Sequence, residues 1–246
     1  MSNDRFFVEQ CAGEVIQLPE SETRHALKSK RLSVGDQIVL FDGKGNETIG
    51  QIASASHREV TVAPETVIHQ PRRTPALTLF VAPPKGSRQD TLIEKCTELG
   101  VASIQPLACE RSIADVSAHR LNKWRRTTIE AAKQSGQAWL PELHLPTTLQ
   151  AALADTARFD CTLAAISLGN RDTTTPASIT DLLPQLRKAD KIAAFIGPEG
   201  GWTNEEIDML TAAHTLAVSF GPNTLRIETA AVVIASMVHA LYDGRM

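Results

Sequence analysis

Aromatic side chains are scarce in this chain: of 246 residues, one is tyrosine, three are tryptophan and seven are phenylalanine. Extensive stacking against unpaired bases needs a platform of exposed rings, so the composition argues against it. Phe6, Phe7 and Trp124 are expected in the core. A strong charge of either sign is missing too. With 25 basic and 28 acidic residues the formal net charge is -3, which argues against non-specific coating of nucleic acid but leaves room for a local basic patch. No run is long and apolar enough to span a bilayer. The N-terminus MSNDRFFVEQ lacks the basic start and apolar stretch of a signal peptide, so a cytoplasmic protein without membrane attachment is expected. The four cysteines, Cys11, Cys96, Cys109 and Cys161, form no C-x-x-C pair and have no accompanying H-x-x-x-H, which points to buried thiols and no metal site. The dinucleotide fingerprint G-x-G-x-x-G and the phosphate loop G-x-x-x-x-G-K-[ST] are both absent.

What is present divides into two patterns. Up to about residue 70, short apolar or β-branched runs (6–8, 37–41, 48–53, 59–63) alternate with turn residues, notably Gly35-Asp36 and Asp42-Gly43-Lys44-Gly45-Asn46. With a helix over 22–32, this predicts a small β-barrel. His69-Gln70-Pro71-Arg72-Arg73-Thr74-Pro75 reads as a linker. Strands then alternate with helices: strands at 76–82, 101–107, 161–168, 191–196 and 217–220, helices at 87–99, 118–135, 179–187, 203–214 and 228–242. That alternation predicts an α/β domain with a mostly parallel sheet. The expected division is 1–71 and 72–246.

Two loops carry the chemistry. In FIGPEGGWTNEE a buried strand enters Gly197-Pro198-Glu199-Gly200-Gly201 and leaves into a helix whose start is marked by Thr203 and Glu206 at capping-box spacing. Three glycines in five residues let backbone approach a ligand closely, and ligands in α/β sheets bind at this end of the strands. A tight turn without a ligand fits the same residues. In SFGPNTLRIETAAVVIASMVHAL a second strand ends in Gly-Pro, followed by Arg226 just ahead of a helix that is apolar nearly all round. Arg226 suits an anionic or planar ligand, though an idle surface arginine fits equally well. Glu228 suits the positive end of the helix dipole.

Read together, IGPEGG and FGPNTLRIETA resemble the signature of the RsmE family, within the SPOUT superfamily of methyltransferases. Further matches are LIEKCTELGVASIQPL (92–107), Glu110-Arg111-Ser112, KWRRTTIEAAKQSGQAWLPEL (123–143), RFFV (5–8), His25 with Arg31, and Gly35-Asp36, so the likeness covers nearly the whole chain in order. Two positions depart from the family pattern: Gln137 replaces an arginine, and Ile227 replaces a threonine. The resemblance implies a PUA-like RNA-binding barrel over 1–71, and a SPOUT α/β domain with a deep trefoil knot over 72–246. It implies a homodimer that uses S-adenosyl-L-methionine to methylate N3 of one uridine in 16S ribosomal RNA of the small ribosomal subunit. Neighbouring expectations are a knotted methyltransferase acting on tRNA or a ribose 2′-hydroxyl, and a non-catalytic ribosome-assembly factor.

On that basis the cofactor is expected to touch Leu168, Gly169, Ile196, Gly197, Pro198, Glu199, Gly200, Gly201, Phe220, Gly221, Pro222, Leu225 and Ile227. Arg226 and Glu228 are the catalytic candidates. Arg226 would stabilise negative charge on a uracil carbonyl, and Lys95 or Glu98 would assist. Basic residues expected to meet RNA are Arg5, Arg24, His25, Arg31, Lys85, Arg88 and Arg111.

Overall fold

A computed structural model of the chain describes residues 4–112, 116–166 and 176–241. Contacts divide it into two units, Met1–Arg72 with Ile129–Leu140, and Arg73–Thr128 with Pro141–Met246.

The first unit holds strands β1 (Arg5–Phe7), β2 (Ile16–Gln17), β3 (Gln37–Phe41), β4 (Asn46–Ala55) and β5 (Val60–His69), in the spatial order β1-β3-β4-β5-β2. β1 runs parallel to β3, and the other pairings are antiparallel. The sheet turns at Asp42, whose carboxylate accepts from the Lys44 amide at 2.7 Å and from the Asn46 side chain at 2.6 Å, the local bonding that makes Asp a turn former. Phe6, Val8, Ile38, Leu40, Ile52, Val60 and Val62 form the core.

Helix α1 is shorter than the expected 22–32 span. It covers Glu20–Arg24 and passes into one π-helical turn, His25–Ser29, and Arg31 with a φ of 56° ends the helical path. β5 runs to His69, paired with Asn46, so the first residue of the expected linker is strand.

The second unit is a parallel sheet of strands β6 (Ala76–Val81), β7 (Ser103–Ala108), β8 (Glu142–Leu143), β9 (Thr147–Thr148), β10 (Cys161–Ala165), β11 (Ala177–Ser178), β12 (Lys191–Ile196) and β13 (Leu216–Ser219). The order is β11-β13-β10-β12-β6-β7-β8, with β9 also on β7. Its helices are α2 (Arg88–Glu98), α3 (Ala118–Ser135), α4 (Leu149–Ala154), α5 (Ile179–Leu186), α6 (Asn204–Ala212) and α7 (Ile227–His239). A sheet covered on both faces needs apolar residues at every position of its central strands, and β12 is buried from Ile192 to Ile196. Ile192, Ala194 and Ile196 join one core, together with α2 and α7. Ala193 and Phe195 join the other, where Phe195 stacks on Phe80 with centroids 4.6 Å apart.

The C-terminal part of α3 belongs to the first unit. Ala132 packs with Phe7 and Phe41. The Lys133 ammonium meets the Glu22 carboxylate at 3.1 Å, with both side chains less than a tenth exposed. Burial raises the Glu22 carboxyl above its ordinary value, against the pull of Lys133. Glu22→Ala would leave Lys133 with the exposed Glu130 as its one ion-pair partner among the described residues. The full chain should lose about 3 kcal/mol, the scale of breaking one side of a buried pair. The loss should appear as a lower urea midpoint at unchanged slope; an unmoved midpoint would show that the pair contributes nothing.

Candidate active site

Because β10, β12 and β13 are parallel neighbours, the segments that follow them leave from one edge of the sheet. After β12 the chain makes its glycine loop. Gly197 has no room for a side chain: a Cβ there would lie 2.6 Å from the Trp202 indole. That indole is buried, and its Nε1 donates to the Ala165 carbonyl at the end of β10 at 2.9 Å. Gly201 closes the turn, with φ at 72° and its amide donating to Pro198 O at 2.9 Å.

The capping box expected at the start of α6 is present. The Glu206 amide donates to Thr203 Oγ1 at 3.2 Å, and the Thr203 amide donates to Glu206 Oε2 at 2.9 Å. The second oxygen of this buried carboxylate accepts from the Glu110 amide, also at 2.9 Å. Next to it, Arg111 Nη1 donates to the carbonyls of Gly200 at 3.0 Å and Trp202 at 3.4 Å. The loop after β7 is thereby laced to the glycine loop.

After β13 the chain passes Gly221, with φ at 108°, and reaches Arg226, the residue ahead of α7. The two loops enclose a pocket of about 620 Å³, within the size range of small-molecule sites. Ile196, Gly197, Pro198, Glu199, Gly200, Gly201, Phe220, Gly221, Leu225, Arg226 and Ile227 all line it. Pro222 is not among the lining residues, and Leu168 and Gly169 lie outside the described residues. Glu228 stands beside the pocket in the first turn of α7 but does not line it.

Sequence reasoning missed Ala165, Ile166, Trp202, Ser219, Asn223, Thr224 and Ala230 in the lining. Most adjoin expected residues, and Ala165 and Ile166 could have been found as the carboxyl end of a neighbouring strand.

Three lining side chains are charged: Arg88, Glu199 and Arg226. Arg88 Nη1 pairs with Glu199 Oε1 at 2.6 Å. Arg226 is exposed and makes no ion pair among the described residues. Lys95 is absent from the lining and sits between Glu94 and Glu98 at 2.8 Å from each, and these carboxylates raise its ammonium above the ordinary value.

The residues expected to meet RNA are dispersed by the fold. In the first unit, Arg24 is exposed beside Glu20 at 2.7 Å, and His25 meets the Phe6 ring edge-on. Arg31 is exposed. Arg5 is mostly buried: it pairs with Glu47 at 2.6 Å, donates to Gln137 O at 3.1 Å and lies over the Phe41 ring. In the second unit, Lys85 is exposed, Arg88 lines the pocket and Arg111 braces the loop. Of the two departures, Gln137 is buried in the first unit, and Ile227 lines the pocket.

Arg111→Ala removes both donors to the loop carbonyls. Hydrogen bonds from a charged donor contribute about 1.5–3 kcal/mol, so amide exchange at Gly201 should quicken by roughly tenfold or more, measured by hydrogen exchange on the full chain. Unchanged exchange would mean that the loop holds its shape without the arginine.

Comparison with known proteins agrees with this geometry. A family profile described as RNA methyltransferase domain matches residues 71–239, and one described as RNA methyltransferase PUA domain matches residues 18–65. Over 96% of this chain and 76% of its own length, the Synechocystis protein named ribosomal RNA small subunit methyltransferase E is 32% identical. The Bacillus subtilis protein of the same name is 26% identical over 95% of each chain. The crystal structure of a ribosomal RNA small subunit methyltransferase E from Neisseria gonorrhoeae, bound to S-adenosyl methionine, superposes with a TM-score of 0.85, at 28% identity over 98% of both chains. With the profile covering the whole of the parallel sheet and both glycine loops, the chain belongs to the RNA methyltransferase family, among the proteins named ribosomal RNA small subunit methyltransferase E.

Proposed function

We propose that this chain is an S-adenosylmethionine-dependent methyltransferase that modifies N3 of one uridine in 16S ribosomal RNA, within the small subunit. The observation that carries the reading is the pocket between the two glycine loops, with Arg226 in its wall and without an ion pair among the described residues. Its residues suit the methyl donor. Ile166, Ile196, Leu225, Ile227 and Ala230 supply apolar walls, and the glycine loops offer backbone donors and acceptors. When bound, S-adenosylmethionine supplies a methyl group already activated by its positive sulfur. The protein's work is to position the target and to manage charge on the uracil.

Arg226 stabilises the negative charge that develops on a uracil carbonyl as N3 becomes nucleophilic. Glu228, in the first turn of α7, holds that helix start in place. The first unit, as a PUA-like RNA-binding module, uses Arg24, His25 and Arg31, and Lys85 and Arg88 extend the contact in the second. Phosphate neutralisation needs only such local clusters. Arg5 and Arg111 serve RNA binding indirectly, by shaping the units that bind it.

The same reading includes a homodimer, supported by the half-buried Val232, Val233 and Ser236 on α7. It includes a trefoil knot in the second unit. The substrate places the protein in the cytoplasm, and among the described residues no helix is long and apolar enough to cross a membrane.

Purified protein should transfer labelled methyl to small subunits lacking the modification, and mass mapping of the digested RNA should place it on N3 of a uridine. A ribose methyl would overturn the substrate assignment, and no transfer would leave a binding role only. Arg226→Ala should lower kcat by about 100-fold or more, the scale of removing one preorganised donor to a developing anion. Its affinity for S-adenosylmethionine, measured by calorimetry, should be retained; near-normal turnover would remove Arg226 from the chemistry.

A further inference from the structure

We infer that Glu199 is a catalytic residue, the group that accepts the proton from uridine N3. The inference rests on the uridine-N3 reading above. An imide N–H is a poor nucleophile until its proton is shared or removed, so the pocket needs an acceptor within reach of the reacting nitrogen. Among the described residues that line it, Arg88 and Arg226 are cations, and Ser219, Asn223 and Thr224 are neutral groups of little basicity. The Trp202 indole can only donate, and its N–H is spent on the Ala165 carbonyl. Glu199 is the one carboxylate.

The other acidic candidates are placed elsewhere. Glu98 is paired with Lys95 outside the lining. Glu228 also lies outside it, and one of its oxygens is buried without a hydrogen-bond partner among the described residues.

Glu199 is also held as a base must be. It occupies the turn closed by the Gly201 amide on Pro198 O, and the next carbonyl, Gly200 O, is held by Arg111. Arg88 fixes Oε1 at 2.6 Å, while Oε2 has no partner among the described residues. A carboxylate accepts through both oxygens, so Oε2 is available to the substrate while Oε1 stays anchored.

In the step, the N3–H bond breaks and its proton passes to Glu199 Oε2. The electron pair left on N3 forms the new bond to the methyl carbon, and the methyl–sulfur bond breaks with its pair retained by sulfur. The proton then leaves Glu199 for solvent, so no further reactant is needed.

The test compares Glu199→Gln with the wild-type full chain, using S-adenosylmethionine and small subunits that lack the modification. Single-turnover rates are followed from pH 6 to 10, with S-adenosylmethionine affinity by calorimetry and subunit affinity by filter binding. At pH 7 the variant should be slower by about 10²–10⁴, the usual contribution of a general base. Its rate should rise about tenfold per pH unit, until N3 itself ionises, as free hydroxide replaces the lost base, where wild type stays flat over that range. Both affinities should be unchanged. Arg88→Met should be slower than wild type but keep the flat profile.

A Glu199→Gln rate near wild type would overturn the assignment. So would a loss with the wild-type pH profile, a loss matched by weakened S-adenosylmethionine binding, or the same pH signature in Arg88→Met. Failure of the underlying reading would show separately, as a wild-type product methylated elsewhere than N3.

Discussion

The pocket depends on one wedge, the Trp202 indole. It occupies the space that a side chain at Gly197 would need, and its N–H is anchored to the end of β10. The chain leaving β12 is therefore pressed against a ring held by the neighbouring strand, and only glycine permits so close an approach. With Gly197 against the ring and Gly201 in a left-handed conformation, the residues between them project as a short turn at the sheet edge. The glycines are thus explained first by packing within the protein. Whatever backbone surface they offer to a ligand follows from the shape that packing imposes.

The same loop is held from its far side. Glu206 accepts from the Thr203 amide with one oxygen and from the Glu110 amide with the other, so one buried carboxylate starts α6 and ties down the loop after β7. Arg111 adds its two carbonyl contacts. A buried carboxylate this well satisfied works as a rivet. It leaves Glu199 and Arg88 as the polar groups of this side that face the pocket.

Local patterns were legible in the sequence wherever one segment decides its own structure. The run KIAAFI is a strand over its full expected length, the Thr203 and Glu206 spacing forms the capping box, and the lining residues on both glycine loops follow from reading those loops as strand ends. What stayed hidden required distant partners. The two-residue strands β2, β8, β9 and β11 have no periodicity of their own and exist because a longer strand accepts them. The π-turn at His25–Ser29 interrupts a pattern that reads as plain helix. α3 is one unbroken helix in sequence terms, yet Ala132 and Lys133 take their partners from the first unit. Charge was hardest to place. Arg5 and Arg111 read as RNA contacts, but the fold engages both internally. Glu228 drew attention through its motif, whereas the carboxylate that lines the pocket is Glu199.

That last placement follows from what the proposed reaction asks of one small space. The donor brings positive charge at sulfur, and the acceptor gains negative charge as it reacts, so a wall of either sign would help one partner and hinder the other. The lining answers with an ion pair and a lone cation on separate segments. Arg88 and Glu199 nearly cancel as a pair, which leaves the donor's charge without strong opposition. Arg226, on the other loop and free of any described ion pair, supplies the field for the anion. Separating the two duties between two strand ends requires that those strands run parallel and flank one common neighbour, so their carboxyl ends open on one edge. The order β13-β10-β12 provides that adjacency, and on this account the topology of the sheet sets the electrostatics of the reaction.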